Sequence, residues 1–160
     1  MALGSKFAQS SLFSERIALQ VLQGDAFTWR QLVEKTLQIS AYLQQLGVEK
    51  QCGVALCGKN SLELLLFYLA AIQTGARVLM LNPMFPLEKR VALCQSNHAD
   101  FYFTAEQKVF DSEQQKCGQI FKCFLTLNDA MAQANQIHAY SDVDIDFSQP
   151  ATMTLTSGST

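Results

Sequence analysis

The chain opens with two short apolar runs around a turn, followed by a long stretch of helical periodicity. Residues 16–29 (RIALQVLQGDAFTW) carry a glycine–aspartate turn between two strand-like runs, which is typical of a β-hairpin. Thr28 followed by Gln31 fits a capping box, in which each side chain accepts from the backbone N–H of the other residue. Apolar positions then recur at helical spacing up to Gly47. The pattern predicts a hairpin and a helix that ends at a left-handed glycine.

The middle of the chain alternates between short apolar runs, which suit buried strands, and longer stretches that suit helices. The strand-like runs are 52–57, 76–81, 99–104 and 120–127. After the first run, Asn60 or Ser61 can cap a helix that Gly75 closes. After the second, Pro86 stands in the first turn of a helix, where the missing N–H of proline costs nothing. This helix continues to about Asn97.

The remaining segments are more polar, and they complete the predicted order of elements. Residues 105–119 fit a short helix, 128–150 a helix followed by a loop, and 151–155 one more strand. Strands alternating with helices at this spacing predict an α/β fold, with a mostly parallel sheet and helices on both faces. We expect one domain over residues 1–160, with 1–15 poorly ordered.

Composition adds that this fold has much apolar surface to bury. Hydrophobic residues make up 49% of the 160 residues and charged residues only 16%, against about 25% charged in typical globular chains. Part of the apolar surface is therefore expected to meet a partner, and the isolated chain is expected to self-associate into a homo-oligomer.

Charge and hydropathy argue against nucleic-acid binding and against a membrane-spanning segment. The formal net charge is −2, and Lys89-Arg90 is the only adjacent basic pair, so the basic surface of a nucleic-acid binder is missing. The uncharged apolar run from Leu64 to Ile72 is too short to span a bilayer. We expect no nucleic-acid partner and no membrane segment.

The five cysteines form no disulfide or zinc pattern. Their number is odd and no two of them stand in a C-x-x-C pair. The two histidines, His98 and His138, lie far apart without a partner motif. These features favour free, buried thiols in a cytoplasmic protein and no metal site.

The last ten residues, 151–160 (ATMTLTSGST), combine a strand with a small, hydroxyl-rich loop. At the carboxyl end of such a strand, a flexible glycine lets successive backbone N–H groups converge on an anion. The candidate cofactor-binding residues are Thr156, Ser157, Gly158, Ser159 and Thr160. No Walker A loop or nucleophile elbow occurs. On composition alone such a cluster is more often an ordinary loop or linker, and the alternation of strands and helices fits equally well a small flavodoxin-like binding module of which this is the tail.

A family resemblance favours the anion-binding loop over the tail of a binding module. The segment TLTSGST resembles the start of the phosphate-binding motif of the adenylate-forming superfamily, which includes acyl-CoA synthetases and peptide-synthetase adenylation domains. Residues 26–56 resemble its amino-terminal hairpin, long helix and first core strand, and 63–83 its next helix and strand. The likeness extends over nearly the whole chain from about Arg16.

The resemblance implies an ATP-dependent acid–CoA ligase with Mg²⁺ and coenzyme A. In that family a carboxylic acid is first joined to AMP, with release of pyrophosphate, and is then transferred to the thiol of coenzyme A. Thr156 through Thr160 would hold the β- and γ-phosphates. No catalytic residue can be named, because the motif's lysine and the other catalytic positions would follow Thr160. We therefore expect an amino-terminal piece of a longer ligase, inactive alone, whose acid is not specified.

Overall fold

The order of the strands in the main sheet differs from their order along the chain. The computed structural model describes residues 15–22, 24–138, 143–144, 146 and 148–155. Within them the elements are β1 (Ile17–Gln20), β2 (Ala26–Thr28), α1 (Trp29–Gln45), β3 (Gly53–Cys57), α2 (Leu62–Gln73), β4 (Arg77–Leu81), α3 (Leu87–Ser96), β5 (Ala99–Thr104), α4 (Phe110–Cys117), β6 (Cys123–Thr126), α5 (Leu127–Ala134) and β7 (Thr152–Met153). Five strands form one parallel sheet in the order β6-β5-β3-β4-β7. The predicted α/β fold is confirmed.

The amino-terminal hairpin and helix follow the sequence prediction. β1 and β2 pair in antiparallel orientation. The backbone N–H of Gln31 donates to Thr28 Oγ1 at 3.3 Å, and the N–H of Thr28 donates to Gln31 Oε1 at 2.9 Å. Gly47 has φ +93° just beyond α1. The capping box and the glycine thus set both ends of this helix, as predicted.

The central strand β3 is buried along its whole length, between β4 and β5. Its register with β4 is regular, from Gly53 opposite Arg77 to Cys57 opposite Leu81. The register with β5 shifts at Gly53, where a Cβ atom would lie 2.2 Å from the carbonyl oxygen of His98. Only glycine fits this close approach of two backbones.

Several boundaries differ from the prediction. β3 and β4 each begin one residue later than the predicted runs 52–57 and 76–81. The strand predicted at 120–127 is β6, Cys123–Thr126, because residues Gly118–Ile120 form a 3₁₀ turn. Pro86 is the N-cap of α3 and not a residue of its first turn. The strand predicted at 151–155 shortens to Thr152–Met153. Residues 1–14 lie outside the described residues, and the extent of the domain stays a prediction.

Two separate cores lie on the two faces of the sheet. Side chains from α1, α2 and α5 pack on one face around Val54 and Leu56, and side chains from α3 and α4 pack on the other around Ala55 and Tyr102. The alternation of side chains along β3 produces this division. None of the helices in the described residues is both long and apolar enough to cross a membrane.

Candidate functional site

β7 carries the chain to the carboxyl edge of the sheet, where ligands of open α/β sheets bind. It pairs with β4 through Val78 opposite Thr152 and Leu79 opposite Met153. The backbone N–H of Val78 donates to the carbonyl oxygen of Ala151 at 2.8 Å. The hydroxyl oxygens of Tyr68 and Thr152 are also 2.8 Å apart, which ties the strand to α2.

The predicted phosphate-binding residues Thr156 through Thr160 lie outside the described residues. Their role therefore stays a prediction. The last described residue is Leu155, two positions beyond the end of β7, and its side chain is exposed.

An open pocket of about 420 Å³ lies between α2 and the strands β4 and β7. Most of its wall is apolar, and the lining also includes hydroxyl and amide side chains. The lining residues are Asn60, Ser61, Leu64, Leu65, Tyr68, Met80, Thr152 and Thr154. Ser61 is the N-cap of α2 and its hydroxyl oxygen accepts from the N–H of Leu64, so this polar group already has a partner. The pocket is a concave surface beside β7.

The strand order reverses between β3 and β5, where the segments that follow these two strands pack closely. A Cβ atom on Gly58 would lie 2.7 Å from the Cβ of Ala105. The N–H of Ala105 donates to the carbonyl oxygen of Cys57 at 2.8 Å, and the N–H of Glu106 donates to Thr104 Oγ1 at 3.0 Å. Ligands commonly occupy such a reversal; among the described residues, an open pocket at the carboxyl edge lies beside β4 and β7.

A tight turn at residues 82–86 follows β4 at the same edge. Asn82 Oδ1 accepts from the N–H of Met84 at 2.9 Å, and the Asn82 carbonyl oxygen accepts from the N–H of Phe85 at 3.1 Å. The ammonium group of Lys89 lies 3.9 Å from the centre of the Phe85 ring, a cation–π contact. The turn is therefore ordered by its own side chains.

A buried charge cluster lies behind this turn. Arg90, 4% exposed, donates from Nη1 and Nη2 to the carboxylate of Glu113 at 3.1 and 2.5 Å. Nη1 also donates to Tyr102 Oη at 2.6 Å and lies 3.7 Å from Cys57 Sγ, and Nε donates to the Phe85 carbonyl oxygen at 3.0 Å. One guanidinium therefore connects two strands, two helices and the turn.

Burial and charge shift the ionisation of this cluster. Burial acts to lower the pKa of Arg90, but its hydrogen bonds to Glu113 and Tyr102 outweigh burial and leave the pKa raised. Burial raises the pKa of Tyr102 and of Cys57, and it raises that of Cys94 to about 12. The tyrosine and both thiols are therefore neutral near pH 7, and the arginine is charged.

Sequence analysis missed the cluster, since it treated Lys89-Arg90 only as evidence against a basic surface. A usable signal exists in the sequence. Leu87, Arg90 and Cys94 share one face of α3 at helical spacing, so a charge stands among apolar positions. Such a charge needs a buried partner, although its identity depends on the fold.

A second, polar pocket of about 440 Å³ lies away from the carboxyl edge, between the ends of α1 and α5. It is lined by Tyr42, Gln45, Gln133, Gln136, Ile137 and His138. Burial raises the pKa of Tyr42 to about 12, and its hydroxyl donates to Gln133 Oε1 at 3.2 Å. Tyr42 is therefore neutral near pH 7.

The thiols agree with the prediction from the sequence, in that all five cysteines are free. Cys57, Cys94 and Cys117 are buried, while Cys52 and Cys123 are half-buried. Among the described residues no group of three or more histidine, cysteine, aspartate or glutamate side chains could hold a metal ion.

Comparison with known proteins identifies the family. The family model described as AMP-binding enzyme matches residues 7–160. The chain belongs to the AMP-binding enzyme family. This confirms the resemblance to the adenylate-forming superfamily and removes the flavodoxin-like module as the alternative.

One relative of this AMP-binding chain is the 2-succinylbenzoate–CoA ligase of Haemophilus influenzae (strain ATCC 51907 / DSM 11121 / KW20 / Rd). The two are 42% identical over 154 residues, which is 96% of this chain and 29% of the relative. The chain therefore spans less than a third of the length of that ligase.

Solved structures of the family share the fold. The N-terminal subdomain of Klebsiella oxytoca NpsA, in complex with 3-hydroxyanthranilyl-AMSN, matches with a TM-score of 0.78 and 22% identity, over 99% of this chain and 38% of that one. O-succinylbenzoate coenzyme A synthetase (MenE) from Bacillus subtilis, in complex with AMP, matches with a TM-score of 0.77 and 21% identity, over 98% and 39%. The parallel sheet described here is therefore the fold of the corresponding parts of both proteins.

Proposed function

We propose that this chain is the amino-terminal part of an ATP-dependent 2-succinylbenzoate–CoA ligase of menaquinone biosynthesis. The observation that carries the proposal is the 42% identity to such a ligase over 96% of the chain. Residues 73–86 (QTGARVLMLNPMFP) and 153–160 (MTLTSGST) also resemble this ligase within the superfamily.

The proposed reaction has two steps. The carboxylate of the acid attacks the α-phosphate of ATP, so that pyrophosphate leaves and an acyl-adenylate remains. The thiol of coenzyme A then attacks the acyl carbon, a thioester forms and AMP leaves. Both steps require that the negative charge on the leaving group be stabilised by directed donors.

Thr156 through Thr160 are proposed to supply such donors for the β- and γ-phosphates. β7 supports this role because it ends at the carboxyl edge of the sheet at Met153, and only Thr154 and Leu155 separate it from Thr156. Hydroxyl groups and backbone N–H groups near a glycine suit phosphate oxygens. A hydrogen bond to a charged oxygen contributes about 1.5–3 kcal/mol, so a few of them hold a triphosphate.

Mg²⁺ is proposed to accompany the triphosphate, where it would neutralise phosphate charge. The described residues offer no metal-binding cluster, so none of them is assigned to the ion. The free thiols fit a reducing compartment, and we propose that the ligase acts in the cytoplasm.

The assignment of the substrate is tested with the complete polypeptide encoded by the gene. Thioester formation is measured with ATP, coenzyme A and a panel of acids that includes 2-succinylbenzoate, fatty acids, aromatic acids and amino acids. We expect 2-succinylbenzoate to give the largest kcat/KM. A larger value for another acid assigns the chain to a different acyl-CoA synthetase, and amino-acid adenylation without thioester formation assigns it to an adenylation domain.

The proposed phosphate site is tested by Ser157→Ala in the same polypeptide. Loss of one hydroxyl donor to a charged oxygen should raise the KM for ATP, or lower kcat, by about tenfold or more. Ser112→Ala is the matched control, because that hydroxyl is exposed on α4 and donates to the carbonyl oxygen of Val109. Equal kinetics for the two variants would refute the assignment.

The chain alone is predicted to be inactive and to self-associate through apolar surface. The apolar pocket beside β7 and the exposed side chains of Leu65 and Leu155 support this prediction. Sedimentation of the 160-residue chain tests it, and a monodisperse monomer at high concentration would contradict it.

A further inference from the structure

Helix α2 is apolar around its whole circumference. Its sequence, LELLLFYLAAIQ, holds one charged residue, Glu63. Its most exposed residue is a leucine, Leu65, which is 37% exposed. A helix that is apolar all round is typical of one that is buried on every side. The exposed residues of α1, by contrast, are all polar: Arg30, Gln31, Glu34 and Gln45.

Two sides of α2 are covered by elements of the described chain. On the side of the sheet, the ring centres of Phe67 and Phe103 lie 5.4 Å apart. On the side of α1, the hydroxyl of Ser40 donates to the carbonyl oxygen of Ala70 at 3.0 Å. The third side carries Leu65 and Tyr68, which are three residues apart and therefore neighbours on the helix surface.

This third side of α2 forms one wall of the apolar pocket beside β7. The lining residues belong to α2 and the two residues before it, to β4, and to β7 with Thr154. The other described helices therefore contribute nothing to the pocket. The pocket is where α2 lacks a neighbour.

The strand β7 differs in the same way between its two faces. Met153 packs against the core formed with α3 and α4, whereas Thr152 and Thr154 line the pocket on the other face. Parallel sheets of α/β proteins carry helices on both faces. A helix is about 10 Å wide and strands are about 4.8 Å apart, so one helix covers about two strands. Since α2 contacts β3 and β4, a further helix is needed over β7.

The wall of the pocket indicates the chemistry of its occupant. Leu64, Leu65 and Met80 offer apolar surface, and none of the lining residues is charged. The hydroxyl oxygens of Tyr68 and Thr152, 2.8 Å apart, already bond each other. A volume of about 420 Å³ accepts several apolar side chains from one face of a helix. An anionic ligand would find no opposite charge there.

The same polypeptide is the favoured source of such a helix. The chain spans 29% of the Haemophilus influenzae ligase, so a ligase of that length has most of its residues outside the described sheet. A segment of the same polypeptide acts at an effective concentration on the order of millimolar. A second copy of the protein at lower concentration competes poorly with it.

We propose that the apolar pocket beside β7 is an internal docking surface, covered in the complete protein by one amphipathic helix from the part of the polypeptide that follows Thr160. The apolar face of that helix packs against Leu65 and Met80. The inference rests on the proposed function, because the part in question is that of the proposed ligase. Self-association of the 160-residue chain is then the consequence of leaving this surface uncovered.

The cover is tested in the complete polypeptide by the reaction of Leu65→Cys with a water-soluble maleimide. Leu22→Cys is the matched control, because Leu22 is 90% exposed. Labelled peptides are separated by mass spectrometry, so that the five natural cysteines do not interfere. Leu65→Cys should react about a hundredfold or more slowly than the control, since labelling then requires local opening. Equal rates for the two variants overturn the proposal.

The source of the cover is tested by a photo-reactive benzophenone side chain placed at position 65. The expected crosslinks join residue 65 to positions beyond Thr160 of the same polypeptide, three or four residues apart, as on one face of a helix. In a mixture of isotopically light and heavy protein, both crosslinked peptides should come from the same chain. A crosslink between light and heavy chains, or one to residues 1–14, overturns the proposal.

These measurements separate the docking surface from the ligase assignment, because neither of them depends on activity. A polypeptide that protects Leu65→Cys but forms no thioester with any acid overturns the ligase assignment and supports the docking surface. A polypeptide that forms the thioester while Leu65→Cys reacts as fast as Leu22→Cys overturns the docking surface alone.

Discussion

The face of the sheet covered by α1, α2 and α5 and the face covered by α3 and α4 bury alternate side chains of the same strands, but their polar groups differ. The first encloses a neutral network, in which Ser40 Oγ lies 3.0 Å from Gln73 Oε1 and Gln73 Nε2 donates to Thr36 Oγ1 at 3.1 Å. The second encloses the Arg90–Glu113 ion pair.

The apolar surroundings of the two networks also differ. On the face of α3 and α4, Tyr102 and Phe124 stack with ring centres 4.7 Å apart, and Phe110 and Phe121 contact the same Phe124 ring. The other face is mainly aliphatic and is covered by three helices. An unpaired charge costs far more in such surroundings than an unpaired amide. The two faces should therefore respond very differently to loss of one polar partner.

The largest effect is expected from Glu113→Ala. It leaves the Arg90 guanidinium buried without its carboxylate, which should lower the free energy of unfolding by about 3–5 kcal/mol in urea denaturation. Asp100→Ala is the control, because its ion pair with Lys122 (3.4 Å) is exposed, and it should cost less than about 1 kcal/mol. Similar losses for the two variants would show that burial does not distinguish the two ion pairs.

A smaller effect is expected on the aliphatic face from Gln73→Met. The substitution keeps the volume of the side chain but removes its hydrogen bonds with Ser40 and Thr36. The Ser40 hydroxyl retains its hydrogen bonds to the carbonyl oxygens of Thr36 and Ala70, at 2.8 and 3.0 Å. The free energy of unfolding should fall by about 1–2 kcal/mol. A loss as large as that of Glu113→Ala would contradict the proposed difference between the faces.

The smallest effect concerns pH and the buried thiol of Cys94. Burial raises its pKa in the folded protein to about 12, from the value of 9.0 for an exposed thiol. Above pH 9 the unfolded chain therefore loses this proton and the folded chain keeps it, so the stabilisation is complete below pH 9 and is lost between pH 9 and 12. Removing the thiol with Cys94→Ala should reduce the stability lost between pH 8 and 10 by about 1 kcal/mol. Parallel curves of unfolding free energy against pH would refute this.

Local elements could be predicted from the sequence because their signals are local. The capping box at Thr28 and Gln31 depends on residues three positions apart, and it forms as predicted. The apolar run that forms β3 is buried on both faces, as such runs are in parallel sheets. The start of β6 was placed too early, because the apolar residues Ile120 and Phe121 extend the run into a 3₁₀ turn and its end.

Contacts between distant residues could not be predicted in the same way. The hydroxyl groups of Tyr68 and Thr152 meet only because β7 joins the sheet next to β4. Arg90 pairs with Glu113. The spacing of these two residues does not indicate the pair, because β5 lies between the helices α3 and α4 that carry them. The family motif supplied the phosphate-binding residues Thr156 to Thr160 without any knowledge of strand order, and they stay a prediction.

Among the described strands β7 is synthesised last, and it joins the sheet through two described residue pairs with β4. Strands β3 to β6 are connected through short crossovers, whereas pairing of β4 with β7 closes a much longer loop at a greater entropic cost. Domains emerge from the ribosome amino terminus first. The nascent polypeptide should therefore form the part of the sheet made by β3 to β6 first, and complete the described sheet only when Thr152 and Met153 dock against β4.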